Sequence, residues 1–124
     1  MSDTPRRPDL HAHNVVIDCT DHDVVLRFWA AALGWERVPV NDQFVALRPP
    51  RGSDAPFALL FQKVPEPKVV KNRVHIDFDA GDMEAEVGRL VELGATVVAE
   101  RRLGHFRWTV VADPEGNEFC VTIR

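Results

Sequence analysis

The stretch Asn14-Val-Val-Ile-Asp-Cys-Thr-Asp21 decides the fold, because the chain repeats its pattern at His75-Ile-Asp-Phe-Asp-Ala-Gly-Asp82. Each copy alternates in polarity, as a half-buried strand does, and ends in an aspartate that suits a helix N-cap. An apolar stripe at helical spacing follows and stops at a glycine, Gly34 or Gly94, which takes a positive φ at little cost. Extended segments complete each copy. The sequence therefore predicts an α+β fold of two βαβββ modules that form a concave, eight-stranded cavity.

Proline marks the boundary between the two copies, in the stretch Pro65-Glu-Pro-Lys68. Because prolines favour an extended crossing, we expect modules at about 13–64 and 73–124, joined by a linker over 65–72. A chain of 124 residues has the size of one domain, here 13–124. The polar residues over 1–12 predict a disordered lead.

Composition excludes several kinds of partner. The net charge is -4 and the basic residues are scattered, which argues against a nucleic-acid surface. No stretch reaches the roughly 18 apolar residues of a membrane span, and the N-terminus lacks the apolar run of a signal peptide. The two cysteines, Cys19 and Cys120, lack partners at metal-type spacing, so we expect free thiols in a cytoplasmic protein. A small molecule is the expected ligand.

The polar side chains of each first strand are expected on the face opposite the helix, where they would line the cavity. The alternative for the strand carboxylates is ordinary solvation, and for Cys120 it is a small buried side chain. His75 is either a sheet histidine paired with a nearby acid or an acid–base group near neutral pH. The polar side chains concerned are Asn14 and Asp18 in the first copy and His75 and Asp77 in the second.

Three stretches resemble the vicinal oxygen chelate superfamily, which includes glyoxalase I, bleomycin-resistance proteins and extradiol dioxygenases. They are 21–35 with its Phe-Trp-Ala-Ala-Ala-Leu-Gly-Trp, the His75-Ile-Asp-Phe-Asp strand, and 108–121 with Asp113-Pro-Glu-Gly-Asn117. The resemblance covers the chain from about Asn14 to Ile123 and is strongest to a glyoxalase-like subgroup of largely unassigned function. It implies a homodimer.

Metal-dependent members of that superfamily hold a divalent ion with four side chains, one from the first and one from the last strand of each copy. By this resemblance the positions fall on Asn14 and His75 for the first strands, and on Cys120 and either Leu60 or Gln62 for the last strands. His75 and Gln62 are the metal candidates, for Zn, Ni, Fe or Mn. An amide binds such ions weakly, so the resemblance implies an incomplete set. With the resemblance, the candidate cavity residues are Asn14, Asp18, Gln62, Asp77, Trp108, Glu118 and Cys120, and His75 is the catalytic candidate.

Three functions therefore stay open. The first is a small-molecule enzyme of the lyase or dioxygenase type that uses His75. The second is a metal-independent protein that sequesters a ligand, as bleomycin-resistance proteins do. The third is a non-catalytic dimeric scaffold.

Overall fold

The computed structural model of the chain describes residues 4–124. Within that range the backbone forms eight strands and two helices. In chain order they are β1 (Asn14–Cys19), α1 (His22–Leu33), β2 (Glu36–Pro39), β3 (Phe44–Arg48), β4 (Ala58–Lys63), β5 (Asp77–Ala80), α2 (Met83–Glu92), β6 (Thr96–Leu103), β7 (Phe106–Ala112) and β8 (Glu118–Ile123).

The strands form two four-stranded sheets of identical topology. Their orders are β1-β4-β3-β2 and β5-β8-β7-β6. In each sheet the first strand pairs parallel with the last, and the other pairs are antiparallel. The prediction of two βαβββ modules in an α+β fold is confirmed. The first strand of each module, β1 or β5, is therefore an edge strand of its sheet.

Local signals start and stop the helices as the sequence predicts. The Asp21 carboxylate accepts hydrogen bonds from the backbone N–H of Asp23 at 2.9 Å and of Val24 at 3.3 Å. Gly34 ends α1 with a φ of 67°, which is costly for any residue with a Cβ. In the second copy the Asp82 carboxylate accepts from the N–H of Ala85 at 3.0 Å. The two modules therefore use the same capping chemistry.

Trp29 of α1 lies at the centre of the core and contacts both sheets. Its ring centroid is 6.5 Å from that of Phe61 in the first sheet. The centroids of Phe78 and Phe119 in the second sheet lie 5.9 Å and 4.8 Å away. Such aromatic contacts add to the free energy of simple burial. One helix of the first module thus joins the two sheets into a shared core.

The turn between β7 and β8 also ties the modules together. The Glu115 carboxylate accepts from the Thr20 N–H at 2.6 Å, from the Thr20 hydroxyl at 3.0 Å and from the Asp21 N–H at 2.8 Å. The Asn117 side-chain amide donates to the Asp18 carbonyl at 3.2 Å. Gly116 has a φ of 89°, as the hairpin chemistry of this turn predicts. The turn therefore holds the connection between β1 and α1 as well as its own strands.

The second copy departs from the predicted boundaries at its first strand. The sequence predicts that the second module, and with it this strand, begins at about residue 73, whereas β5 begins at Asp77. The Glu118 N–H, which begins β8, donates to the Asn72 side chain at 3.2 Å instead of to a backbone carbonyl. Residues 73–76 therefore precede the regular ladder, and His75 lies before the strand.

The other predicted boundaries stay predictions. Residues 4–12 are exposed and carry neither helix nor strand, while residues 1–3 of the expected disordered lead lie outside the described range. The connection from Val64 to Ile76, which contains the expected linker, has no regular secondary structure. Among the described residues, no helix combines the length and the apolar character needed to cross a membrane.

Candidate functional site

A cavity of about 380 Å³ lies at the seam between the modules. The edge of β1 forms one wall, and the segment that leads into β5 forms part of another. Its apolar lining residues are Val15, Val16, Ile17, Trp29, Val64, Pro67, Val70, Val74, Ile76 and Phe119. Its polar and thiol-bearing lining residues are Asp18, Cys19, Glu66, Lys68, Lys71, Asn72, His75, Glu115, Asn117 and Glu118.

The cavity forms at a strand edge, which explains its mixed lining. Along β1 the side chains of Val15, Ile17 and Cys19 turn towards the core, while those of Val16 and Asp18 are exposed. Residues from both sets line the cavity because it follows the unpaired edge of the strand. The sequence predicts a cavity lined by the polar faces of the first strands, and the core-facing side chains of β1 are additional to that prediction.

The segment between the modules covers part of the cavity and is held against β8. The Lys71 ammonium lies 3.4 Å from the carboxylate of Glu118, whose side chain is only 13% exposed. The Glu118 N–H donates to Asn72, and the Lys68 ammonium donates to the Val70 carbonyl at 2.7 Å. Lys71 of this segment is thus paired with an acidic side chain of β8 beside the cavity.

His75, Asp77 and Cys120 form a cluster beside the cavity. Their donor atoms, a ring nitrogen, a carboxylate oxygen and the thiol sulfur, all lie within 4.8 Å of one another. The sheet register brings Asp77 and Cys120 together, because they are Cα partners, and His75 lies two residues before Asp77 in the segment that leads into β5. Cys120 is buried, whereas His75 and Asp77 are exposed. His75 also lines the cavity, so the two features share this residue.

The thiol of this cluster is held in its protonated form. Burial raises the pKa of Cys120, and the negative charge of Asp77 and its hydrogen bond with the thiol raise that pKa further. A free thiolate is therefore disfavoured at neutral pH. The thiol is a weak nucleophile unless a positive charge is supplied to it.

The strand register identifies equivalent positions in the two modules. Asn14 and His75 both lie seven residues before a capping aspartate, Asp21 or Asp82. On the last strands, Leu60 pairs with Val16 just as Cys120 pairs with Asp77, so Leu60 is the counterpart of Cys120. Leu60 has no donor atom. A four-donor centre shared by both modules at these positions is therefore not formed by these residues.

The remaining candidate residues lie in separate places. Asp18 and Glu118 line the cavity, whereas Asn14 and Gln62 are on the first sheet, paired with Ala58 and Asp18 respectively. Trp108 lines a different pocket, between α2 and the β6–β7 hairpin. The proposed roles of these residues stay predictions.

Sequence reasoning missed the contributions of Lys68, Lys71 and Glu115 to the cavity. The first two lie in the expected linker, where composition indicates only a crossing between modules. Glu115 belongs to the Asp113-Pro-Glu-Gly-Asn117 turn. Its charged side chain is the one signal in the sequence for hydrogen-bond donors outside the turn, which are the N–H groups of Thr20 and Asp21.

Comparisons with known proteins agree with this architecture. A family model described as a glyoxalase-like domain matches residues 14–122. A glyoxalase/bleomycin resistance protein/dioxygenase family enzyme from Burkholderia phytofirmans PsJN has a TM-score of 0.71 at 19% identity, over 89% of this chain and 95% of that one. A superfamily member from Sphaerobacter thermophilus DSM 20745 has a TM-score of 0.70 at 22% identity, over 94% and 98%.

A lactoylglutathione lyase from Agrobacterium tumefaciens has a TM-score of 0.66 at 19% identity, over 94% of this chain and 95% of that one. At these identities the likeness concerns the fold. No curated protein matches the chain.

Proposed function

Because the chain belongs to the glyoxalase-like domain family, whose model matches residues 14–122, we propose that it binds a small organic molecule in the cavity between its modules. The observation that carries this proposal is the cavity itself. Its volume of about 380 Å³ falls in the range of about 300–1,000 Å³ that is usual for small-ligand sites.

The lining favours a ligand with an apolar body and a few polar groups. Trp29 and Phe119 offer aromatic surface, and valine and isoleucine side chains continue that wall. His75, Lys71 and Glu118 place a hydrogen-bonding imidazole, a cation and an anion at the same cavity. Convergent polar groups in an apolar pocket orient a ligand, while the apolar wall contributes most of the binding free energy.

A thermal-shift screen with glutathione adducts, catechols and glycopeptide antibiotics tests this proposal. A ligand at 100 times its Kd stabilises the folded chain by about 2.7 kcal/mol, which raises the Tm measurably. Binding should also change the fluorescence of Trp29, because this indole lines the cavity.

Two cavity variants and one control variant make the screen specific. His75→Ala and Glu118→Gln should reduce the shift, whereas Glu92→Gln, on an exposed position of α2 away from the cavity, should preserve it. A shift that all three variants retain would place the ligand elsewhere and remove support for the cavity. No shift with any of the compound classes would favour a non-catalytic scaffold.

A second candidate is turnover of the lyase or dioxygenase kind, supported by the position of His75. This residue lines the cavity and lies within 4.8 Å of a carboxylate and a thiol. A histidine that touches a bound molecule can accept and return a proton. If the chain is an enzyme, His75→Gln should lower kcat by at least about 10²-fold while Glu92→Gln leaves it unchanged. Equal kcat in both variants would argue for a binding protein.

We also propose a homodimer in the cytoplasm. Large apolar side chains are exposed on the sheets, among them Val16 at 49% and Phe106 at 51%. The Phe106 ring lies 5.3 Å from that of Trp108, tilted by 34°. Exposed apolar area of this kind marks interaction surfaces. Both cysteines are free and buried, in keeping with a reducing compartment. Light scattering on the purified chain should give twice the mass of 14.0 kDa, and a monomer at all concentrations would contradict the dimer.

A further inference from the structure

We propose that the chain has a second ligand site, for a small aromatic carboxylate, on the face of the second sheet that carries α2. The site is a groove of about 460 Å³ between α2 and the β6–β7 hairpin, a volume within the range usual for small-ligand sites. This outer groove is lined by Met83, Val87 and Gly88 of α2 and by Arg102, Arg107 and Thr109 of the hairpin.

A missing side chain on α2 keeps the outer groove open. Gly88 lies within the helix, and a Cβ there would meet no atom within 4 Å. Glycine is unfavourable inside a helix, so helix stability does not explain its presence. The open space lies beside the buried Met83 and the half-buried Val87, which form the apolar part of the groove.

Two arginines face each other across the hairpin. Arg102 and Arg107 are direct cross-strand partners on β6 and β7. Side chains at such positions have Cβ atoms about 4.5–5.5 Å apart, and like charges placed there are destabilising. The Arg107 guanidinium is balanced by the Glu84 carboxylate at 2.9 Å. Among residues 4–124 no carboxylate forms an ion pair with Arg102, so this guanidinium is available to an anion.

The net charge of the groove indicates the charge of its ligand. The charged side chains that line it are Arg101, Arg102, Arg107, Glu84 and Glu100. Three positive and two negative groups leave one positive charge in excess. A ligand with a single negative charge would therefore make the site neutral.

The hydroxyl of Thr109 adds a buried polar group to the groove. Thr109 is only 3% exposed, and its hydroxyl donates to the Met83 sulfur at 3.7 Å. A thioether is a weak acceptor, whereas buried polar groups in folded proteins usually have a strong hydrogen-bond partner. A ligand carboxylate beside Thr109 would accept from this hydroxyl in place of the sulfur.

These groups together select an aromatic carboxylate. A guanidinium binds a carboxylate with two parallel hydrogen bonds and also stacks on aromatic faces, so Arg102 suits both parts of such a ligand. The Met83 sulfur and the Val87 side chain offer an apolar surface to the ring, and contacts between sulfur and aromatic rings are favourable.

The outer groove is separate from the cavity between the modules and from the exposed apolar face of the sheets. The two spaces share no lining residue. Phe106 alternates with Arg107 along β7 and so lies on the opposite face of the sheet. A dimer formed through Phe106 would therefore leave the outer groove accessible.

Naphthoate and its neutral analogue naphthamide test the site, with binding followed by backbone amide shifts in nuclear magnetic resonance spectra of the full chain. Naphthoate should shift the amide signals of Gly88 and Thr109 in a saturable manner. Naphthamide should bind about tenfold more weakly, because it lacks the charge that pairs with the guanidinium. Absence of saturable shifts at both amides, or equal affinity for the two compounds, would overturn the site.

Two variants and a matched control locate the binding. Arg102→Gln changes an exposed side chain, so the chain should fold as the wild type, bind naphthoate about tenfold more weakly and bind naphthamide as before. Gly88→Leu fills the groove with a residue that favours helix and should abolish binding of both compounds. Arg27→Gln, at an exposed position of α1, should leave both affinities unchanged. Naphthoate binding that survives Gly88→Leu, or an equal loss in Arg27→Gln and Arg102→Gln, would contradict the proposal.

One further variant separates this site from the cavity between the modules. His75→Ala removes a lining residue of that cavity and should leave the naphthoate shifts at Gly88 and Thr109 unchanged. Loss of these shifts in His75→Ala would show that naphthoate binds in the cavity and would overturn the outer site.

Discussion

The indole Nε1 of Trp29 donates a hydrogen bond of 2.9 Å to Oδ2 of Asp113, across the boundary between the modules. Both side chains are buried, with Asp113 only 3% exposed. The Asp113 carboxylate also accepts from the N–H groups of Glu115 and Asn117 and from the Asn117 side chain, at 2.9, 3.0 and 3.1 Å. A buried carboxylate is tolerated when donors surround it in this way.

Loss of this carboxylate should destabilise the whole chain. Asp113→Ala leaves the indole N–H and the donors of the turn without their acceptor in a buried place, so we expect a loss of about 2–4 kcal/mol in the free energy of unfolding. Urea denaturation followed by far-ultraviolet circular dichroism measures it. Asp42→Ala, in the exposed turn before β3, is the matched control and should stay within about 0.5 kcal/mol of the wild type. Equal effects of the two substitutions would contradict the role of Asp113.

Neutralising Glu115 should loosen the start of α1. The carboxylate accepts three hydrogen bonds from Thr20 and Asp21, and charged acceptors make stronger bonds than neutral ones. We expect Glu115→Gln to lower the free energy of unfolding by about 1–3 kcal/mol and to speed hydrogen exchange at the amides of Thr20 and Asp21. Glu66→Gln, in the exposed connection, serves as control. Unchanged exchange at both amides would show that the contact contributes nothing.

Alkaline pH should destabilise the chain through Cys19. Burial raises the pKa of this thiol from 9.0 to about 12, and the nearby carboxylates of Glu115 and Asp113 add to the shift. The unfolded chain loses the thiol proton near pH 9 and the folded chain only near pH 12, so the stabilisation is complete below pH 9 and is lost as pH rises towards 12.

Denaturation curves at several pH values from about 8 to about 11 measure this effect. The wild type should lose stability with rising pH more steeply than Cys19→Ala, in which the titrating group is absent. Cys120 contributes in the same direction, because its pKa is also raised, so the double substitution should give the flattest profile. Parallel profiles for the wild type and Cys19→Ala would be inconsistent with a buried thiol at this position.

Two glycines should respond oppositely to alanine. Gly34 has a φ of 67°, so Gly34→Ala strains the end of α1 and should cost about 1 kcal/mol. Gly88 lies within α2, and a Cβ there would meet no atom within 4 Å. Gly88→Ala should therefore stabilise the chain by about 0.5–1 kcal/mol through helix propensity. Thermal unfolding compares them, and shifts of the same sign in both variants would refute the argument.

The sequence alone is sufficient to predict the features that depend on residues close together along the chain. The alternation along β1 and the capping of α1 by Asp21 and Gly34 depend on residues within a few positions, and the structure shows them as predicted. The predicted start of β5 is wrong, because the backbone ladder there depends on the acceptor of the Glu118 N–H. That N–H donates to the side chain of Asn72 and not to a backbone carbonyl. That competition involves residues far apart in sequence.

The candidate site shows the same division. The resemblance to the superfamily singled out His75, but its neighbours Asp77 and Cys120 are brought together by the pairing of β5 with β8. The choice between Leu60 and Gln62 could not be made from spacing, since both lie on one face of β4. The pairing of Val16 with Leu60 makes that choice.

The contacts of Trp29 and of the Asp113–Asn117 turn have a consequence for how the chain unfolds. Neither module has a complete core of its own, because α1 packs on both sheets and the turn of the second module holds the loop of the first. The duplicated halves should therefore melt together in one cooperative transition, with equal calorimetric and van't Hoff enthalpies. The two modules that the sequence repeats therefore form a single cooperative unit of unfolding.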